Sequence, residues 1–301
     1  MAASTTSTTS TTSPLAVLKP GPPTAYWRFH RAVAAAQLSA WLPPGSQRLV
    51  DISGPQSPGA VQAAAAGHVV LRVTSAPPES PAMIRTRVGR GRMATVVADP
   101  GSLSFLADGC ADGVIADDGA LSRYLMAEDL AAEIARVLRP GGQLFACVDS
   151  LVLGMAILAE QHHWAQLTDL PQAEVILVPW PDGTITRCFG TQHLNDLLTE
   201  AGLEVRSIRP RTVLSPSTVD HVLHQDPRAI TRLIRAELGA VADDIVGDES
   251  FGIYLLAAAR KPGPKRENGA LSGRPSGVSR GSWPSRAAVR RDASQGVRRR
   301  R

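Results

Sequence analysis

Asp108-Gly109-Cys110-Ala111-Asp112-Gly113-Val114-Ile115-Ala116, followed one helix later by Ala135-Arg136-Val137-Leu138-Arg139-Pro140-Gly141-Gly142-Gln143-Leu144, is the stretch that decides the fold. Gly113-Val114-Ile115-Ala116 is a short continuous apolar run, which predicts a buried strand, and Asp117-Asp118 end it. Leu130, Ile134, Val137 and Leu138 then recur at i, i+4, i+7 and i+8, with Glu128, Asp129, Glu133 and Arg136 on the opposite face, so an amphipathic helix follows. Pro140 cannot continue a helix and Gly141-Gly142 accept left-handed dihedrals, so the helix stops there and a strand over 143–148 begins at once. A strand, a crossover helix and a second strand make a unit of a parallel sheet.

The same alternation extends outward in both directions. Upstream, an amphipathic segment over 24–41 is stopped by Pro43-Pro44. Strands are predicted at 48–52, 69–73 and 95–98, with an Ala-rich helix up to Gly67 and a further helix at 82–88. Downstream, 151–170 reads as helix, and 174–179 and 183–189 as extended segments about a Pro181-Asp182-Gly183 turn. Leu194, Leu197, Leu198 and Ala201 mark a helix closed by Gly202, and a strand over 203–208 follows. Asp226 caps and Pro227 opens another helix bearing Ile230, Leu233, Ile234 and Leu238. The last strand, 251–259, is almost wholly apolar and belongs inside a sheet covered on both faces.

Composition divides the chain into three. Residues 1–23 form a Ser/Thr tract running into Pro and Gly, and 263–301 are rich in Arg, Ser, Gly and Pro; neither can bury enough apolar surface to offset its chain entropy, so both are expected to be disordered. About 240 residues, 24–262, remain for one core. The formal net charge is +5, but the tail holds eleven Lys or Arg against Glu267 and Asp292 and carries +9, which leaves −4 on the rest. An Arg-rich tail can associate with nucleic acid through phosphates without reading sequence, although a solvated tail is the plainer reading, since Trp283 is its only aromatic. Cys110, Cys147 and Cys188 are widely spaced and give neither a disulfide framework nor a CxxC site, which fits a reducing compartment. With no signal-peptide pattern and no window of about 20 continuously apolar residues, a cytoplasmic protein is expected, with no membrane partner. Nothing in the sequence sets the oligomeric state.

In an open parallel sheet, ligands bind beyond the carboxyl ends of the strands, where strand order reverses. The first strand carries Asp51 and runs into Gly54-Pro55-Gln56-Ser57-Pro58-Gly59, a turn that lets backbone N–H groups approach a ligand. It lacks the G-x-G-x-x-G spacing of a dinucleotide site, which argues against a nicotinamide-dependent oxidoreductase, and it lacks the Lys of a P-loop. Asp99 ends the third strand, where a carboxylate can accept from an exocyclic amine or cap the next turn. Asp117 and Asp118 follow the fourth strand. Adjacent residues diverge there, so they are not read as a catalytic or metal-binding pair.

The block from Asp108 to Leu144 resembles the centre of class I S-adenosylmethionine-dependent methyltransferases, in which a "DGSFD" segment enters the fourth strand and "L-R/K-P-G-G" joins the next helix to the fifth. The stretch 189–205 is similar to that family's late helix and sixth strand, and 251–260 to its final antiparallel strand. The resemblance implies a Rossmann-like, doubly wound sheet of about seven strands, mostly parallel with an antiparallel last strand and helices on both faces. It further implies S-adenosyl-L-methionine as cofactor and a small-molecule acceptor. By position in the family's motifs, Asp51, Ser53, Gly54 and Gly59 stand for the donor loop, Asp99 and Pro100 for the adenine side, and Asp117 for the edge of the pocket. The sequence departs from the family at the second strand, which ends Val73-Thr74-Ser75-Ala76 with no acid for the ribose, and in its reduced, proline-laden glycine loop. Those departures motivate the alternative of a methyltransferase fold kept as a binding or scaffolding module. No catalytic residue is assigned. His162, His163 and His193 are the candidates should a base be needed, with surface positions the plainer reading, and Trp27, Trp41, Trp164 and Trp180 are expected in core or lid packing.

Overall fold

The computed structural model describes residues 25–54, 57–75, 85–168, 173–180, 182–242 and 252–263. Residues 1–24 and 264–301, and Pro55 in the loop after the first predicted strand, therefore lie outside the described residues.

In chain order the elements are α1 (Ala25–Trp41), β1 (Arg48–Asp51), α2 (Gly59–Ala65), β2 (Val69–Thr74), β3 (Arg85–Val88), β4 (Gly91–Val97), β5 (Ala111–Ala116), α3 (Ala127–Val137), β6 (Leu138–Asp149), α4 (Leu151–Glu160), α5 (Trp164–Thr168), β7 (Val175–Pro179), β8 (Ile185–Phe189), α6 (Thr191–Glu200), β9 (Glu204–Pro210), α7 (Pro216–Gln225), α8 (Ile230–Ala242) and β10 (Tyr254–Arg260). Eight strands form one sheet in the order β3-β4-β2-β1-β5-β6-β10-β9. β4, β2, β1, β5 and β6 run parallel, while β10 is antiparallel to both β6 and β9. The order runs outward from β1 to β2 and β4 on one side and from β5 to β6 on the other, so the reversal of a doubly wound sheet falls between β1 and β5.

Successive residues of a strand face opposite ways, and both faces of the sheet are covered, so the middles of the central strands are apolar. Val50, Val114, Leu144 and Ala146 face α3 and α6, where Leu130, Ile134, Leu194 and Leu198 meet them. Leu49, Ile115, Phe145, Cys147 and Leu256 face the other way, against Leu38 of α1 and Ala60, Ala63 and Ala64 of α2. Two smaller apolar clusters flank this body. Tyr26, Phe29 and Val33 of α1 pack on Val219 and Leu223 of α7, and α4 packs on the separate β7–β8 hairpin through Leu153, Ile157, Ile176 and Cys188.

The Arg139-Pro140-Gly141-Gly142 segment does end α3, yet it is itself the start of β6. Gly141 donates to the Lys261 carbonyl at 2.8 Å, and Lys261 returns a bond to the Gly142 carbonyl at 2.9 Å, so the segment pairs with the chain leaving β10. Arg139 Nε donates to Asp112 at 2.5 Å, and the same carboxylate accepts from the Arg48 backbone at 2.7 Å. The block that decides the fold thus clamps the amino ends of β1, β5 and β6, at the opposite edge of the sheet from the carboxyl ends of those strands.

Three expectations change. The helix predicted over 82–88 is a strand where it is described: Thr86 and Val88 are β-branched, every second side chain is exposed, and Gly89 at φ +56° turns the chain into β4, giving an edge hairpin and an eighth strand. The helix predicted over 151–170 breaks after Glu160 because His162 sits at φ +59°. Helix α7 was not expected, although Ser215 caps it through the Thr218 N–H, Pro216 opens it, and Val219 and Leu223 repeat at i, i+4.

Candidate functional site at the sheet reversal

β1 ends on Asp51, which is 1% exposed and accepts from the Ser53 N–H at 2.9 Å through Oδ1. Its Oδ2 is buried with no hydrogen-bond partner among the described residues. Burial pushes this carboxyl above the usual aspartate range, while the bonds from Ser53 and the nearby Arg72 pull it down. A Cβ on Gly59 would lie 3.7 Å from that oxygen, an ordinary contact distance, so the start of α2 runs directly beside it. Ser53 Oγ accepts from the Asp117 N–H at 2.8 Å and so joins the ends of β1 and β5 across the reversal. Asp51, Ser53, Gly54, Gly59 and Asp117 therefore lie around one point.

Asp99 and Pro100 lie to one side. Asp99 is exposed, accepts from the Gly101 N–H at 2.9 Å and from the Tyr124 hydroxyl at 3.1 Å, and thereby closes its own turn; Pro100 is buried. The Tyr124 ring packs so tightly on Gly101 that a Cβ there would stand 2.3 Å from it, and burial, aided by Asp99, raises the phenol to about 12.

Several residues that sequence reasoning did not single out shape the same region. Arg72 of β2 donates to the Gly54 carbonyl at 2.8 Å and the Ser57 carbonyl at 3.2 Å, which holds the loop after β1 in place. Arg123, in the 3₁₀ turn Leu121–Arg123 after β5, donates to the carbonyls of Ser53, at 2.8 Å, and Asp118. Arg211, just beyond β9, forms a 2.7 Å ion pair with Asp117, the two side chains only 3% and 9% exposed, and its guanidinium lies over the Phe145 ring. Gln37 of α1 donates to the Arg211 carbonyl at 2.9 Å, and His30 of α1 is buried beside it with its imidazole held down to about 3 by burial, Arg211 and Arg31. Asp149, half-buried at the end of β6, is pushed up to about 7 by burial against the pull of Arg123, with Asp118 adding to the rise. Asp149 and Arg211 follow predicted strands, whereas Arg72 lies within one and His30 and Gln37 within a helix, so no local sequence signal marked them together.

The histidine candidates fall elsewhere. His162 and His163 sit at the α4–α5 corner, His163 bonded to Gln166, while His193 stacks on Phe189 and bonds Arg187, which in turn pairs with Glu128 at 2.7 Å and ties the β7–β8 hairpin to α3. Trp41 packs on Phe145 and Trp180 bonds Thr186, whereas Trp164 is 60% exposed. Among the described residues no group of three or more His, Cys, Asp or Glu could hold a metal, and no helix is long and apolar enough to cross a membrane.

No sequence-family profile and no curated protein sequence matches the chain. Solved structures do. The chain is similar to a 1,6-didemethyltoxoflavin-N1-methyltransferase of Burkholderia thailandensis, crystallised with 1,6-didemethyltoxoflavin and S-adenosylhomocysteine, at 18% identity and a TM-score of 0.50 over 77% of this chain and 78% of that one. It is also similar to a putative S-adenosylmethionine-dependent methyltransferase of Listeria monocytogenes, at 14% identity and a TM-score of 0.50 over 78% and 99% of the two chains. The chain has the class I S-adenosylmethionine-dependent methyltransferase fold, a Rossmann-like sheet with one added edge strand.

Proposed function

We propose that this protein binds S-adenosyl-L-methionine at the reversal between β1 and β5 and transfers its methyl group to a small-molecule acceptor. The observation that carries this reading is Asp51: a buried carboxylate with one oxygen lacking a hydrogen-bond partner among the described residues, at the end of the strand before the reversal, where α2 begins beside it at Gly59. Burying such a group without a partner costs roughly 1–3 kcal/mol, so a ligand that hydrogen-bonds it gains from the fit. Asp51, Ser53, Gly54 and Gly59 would hold the amino-acid side of the donor, Asp99 and Pro100 its adenine side, and Asp117 the edge toward the acceptor.

When bound, the sulfonium supplies both the methyl group and its own leaving group. The chain's own task is then to align donor and acceptor, an effect equivalent to about 7–11 kcal/mol in favourable cases. Asp149, at the end of the neighbouring β6, is the carboxyl placed to take a proton from an acceptor near neutral pH.

Calorimetric titration of the purified chain with S-adenosylmethionine and S-adenosylhomocysteine tests the reading. Binding that is weakened at least tenfold by Asp51→Asn supports it, and silence at millimolar ligand refutes it. Silence would favour the second reading, a methyltransferase fold that serves as a binding or scaffolding module. The observations behind that reading are the arginines at the carbonyls of the β1 loop and the absence of an acid at the end of β2, which closes on Thr74.

A further inference from the structure

Arg123 bridges the loop after β1 and the turn after β5, at the sheet reversal where the donor is proposed to bind. One terminal nitrogen donates to the Ser53 carbonyl at 2.8 Å and the other to the Asp118 carbonyl, so acceptors from the ends of two neighbouring strands converge on a single cation. The first nitrogen lies 3.0 Å from the position a Cβ on Gly54 would take, and Gly54 itself holds φ +104°, so glycine at 54 is what makes room for the guanidinium. Asp118 and Asp149 face it and add negative potential. The residue as a whole is exposed, and the bonds named here are made by its tip, so rotation about its own side chain frees the crevice without disturbing the core.

S-adenosylmethionine carries an ammonium on its amino-acid end. An ammonium has three N–H donors and no acceptor, and therefore seeks the same kind of carbonyl pair that Arg123 holds. Resting on the donor reading above, we propose that Arg123 is an internal competitor for the amino-acid end of the donor: it latches on Ser53 and Asp118 when the crevice is empty, and must leave before donor binds. The latch sets the apparent donor affinity, because a site that is open only part of the time binds in proportion to its open fraction.

Two ligands separate this from other effects. S-adenosylhomocysteine has the amino-acid end, whereas 5′-methylthioadenosine shares the nucleoside and lacks it. Titrated calorimetrically into the full chain, Arg123→Ala and Arg123→Gln are expected to tighten S-adenosylhomocysteine by about tenfold, the gain for a crevice latched nine times in ten, and to leave 5′-methylthioadenosine unchanged. If the wild type binds S-adenosylhomocysteine and both variants bind it equally or more weakly, the competitor role is overturned while the donor reading stands. An equal gain for both ligands also overturns it. If neither ligand binds any of the three proteins, the donor reading itself fails and the latch falls with it. Glutamine keeps the side chain's length without its charge, so it guards against a loss of packing at the tip.

Discussion

Replacing Arg211 by Met removes a charge of similar length from the most buried ion pair among the described residues. The Arg211 Nη1 to Asp117 Oδ1 distance is 2.7 Å, the partners are 3% and 9% exposed, and Asp117 Oδ1 also accepts from the Asp118 N–H at 2.8 Å. Taking away one member leaves a buried, uncompensated carboxylate, at a cost of about 3–5 kcal/mol. For a domain of this size that lowers the melting midpoint by on the order of 10 °C. The pair is not pure gain, however. Arg211 Nε and Nη2 and the neighbouring Gln37 Oε1 are buried without partners, so Asp117→Asn combined with Arg211→Met is expected to recover most of the loss. Urea unfolding of the wild type, both single variants and the double variant, followed by tryptophan fluorescence, measures the cycle. A single-variant loss below about 1 kcal/mol, the level of an exposed pair, together with simple additivity would refute the reasoning.

Other outcomes follow from burial and close packing. His30 stays neutral in the fold down to about pH 3 against 6.5 for a free imidazole, so acid destabilises through it below pH 6.5; Asp149 holds a proton up to about pH 7 against 3.8, so acid stabilises through it below pH 7. Between about pH 4 and 6.5 the two offset each other. Relative to wild type, His30→Gln should gain, and Asp149→Asn lose, about 1.4 kcal/mol per pH unit of acidification; urea midpoints at pH 4.5, 5.5 and 6.5 check the opposed slopes, and slopes of the same sign would count against both assignments. Gly91→Ala would place a methyl 2.2 Å from the His68 carbonyl and 2.4 Å from that of Ala64, both backbone, and should cost about 3 kcal/mol or more in thermal unfolding. Gly239→Ala in α8 meets nothing within 4 Å and should instead gain about 0.5–1 kcal/mol; a loss there would contradict the helix.

The parts of the fold that could be read early are those with local signatures. The middle stretches of β1, β2, β5, β6 and β10 are buried on both faces, so each holds a short apolar run, and α3 carries its apolar stripe without interruption. Arg139-Pro140-Gly141-Gly142 stops a helix by covalent geometry alone. The misreadings fall where local signals conflict. The apolar residues of 82–88 fit either period, and the Gly89 turn together with close packing on the end of α2 and on Gly67 and His68 decided for a hairpin. His162 broke a helix whose composition gave no warning.

The site divides in the same way. Asp51, Gly54 and Gly59 could be placed because a carboxylate and glycines directly after a first strand are constrained by the turn they make. By itself, then, the sequence determined the layered α/β sheet, its central strand–helix–strand unit and the loop after the first strand, because apolar period, helix stops and turn chemistry act within a few residues. Only the tertiary structure decided which charges surround that loop. Ser53 and Arg123 are 70 residues apart, and the partners of Asp117 and Tyr124 come from equally unrelated positions along the chain. Such pairs depend on which strand ends the sheet brings side by side, and on burial that strengthens each contact by removing water, and neither is written in any one segment.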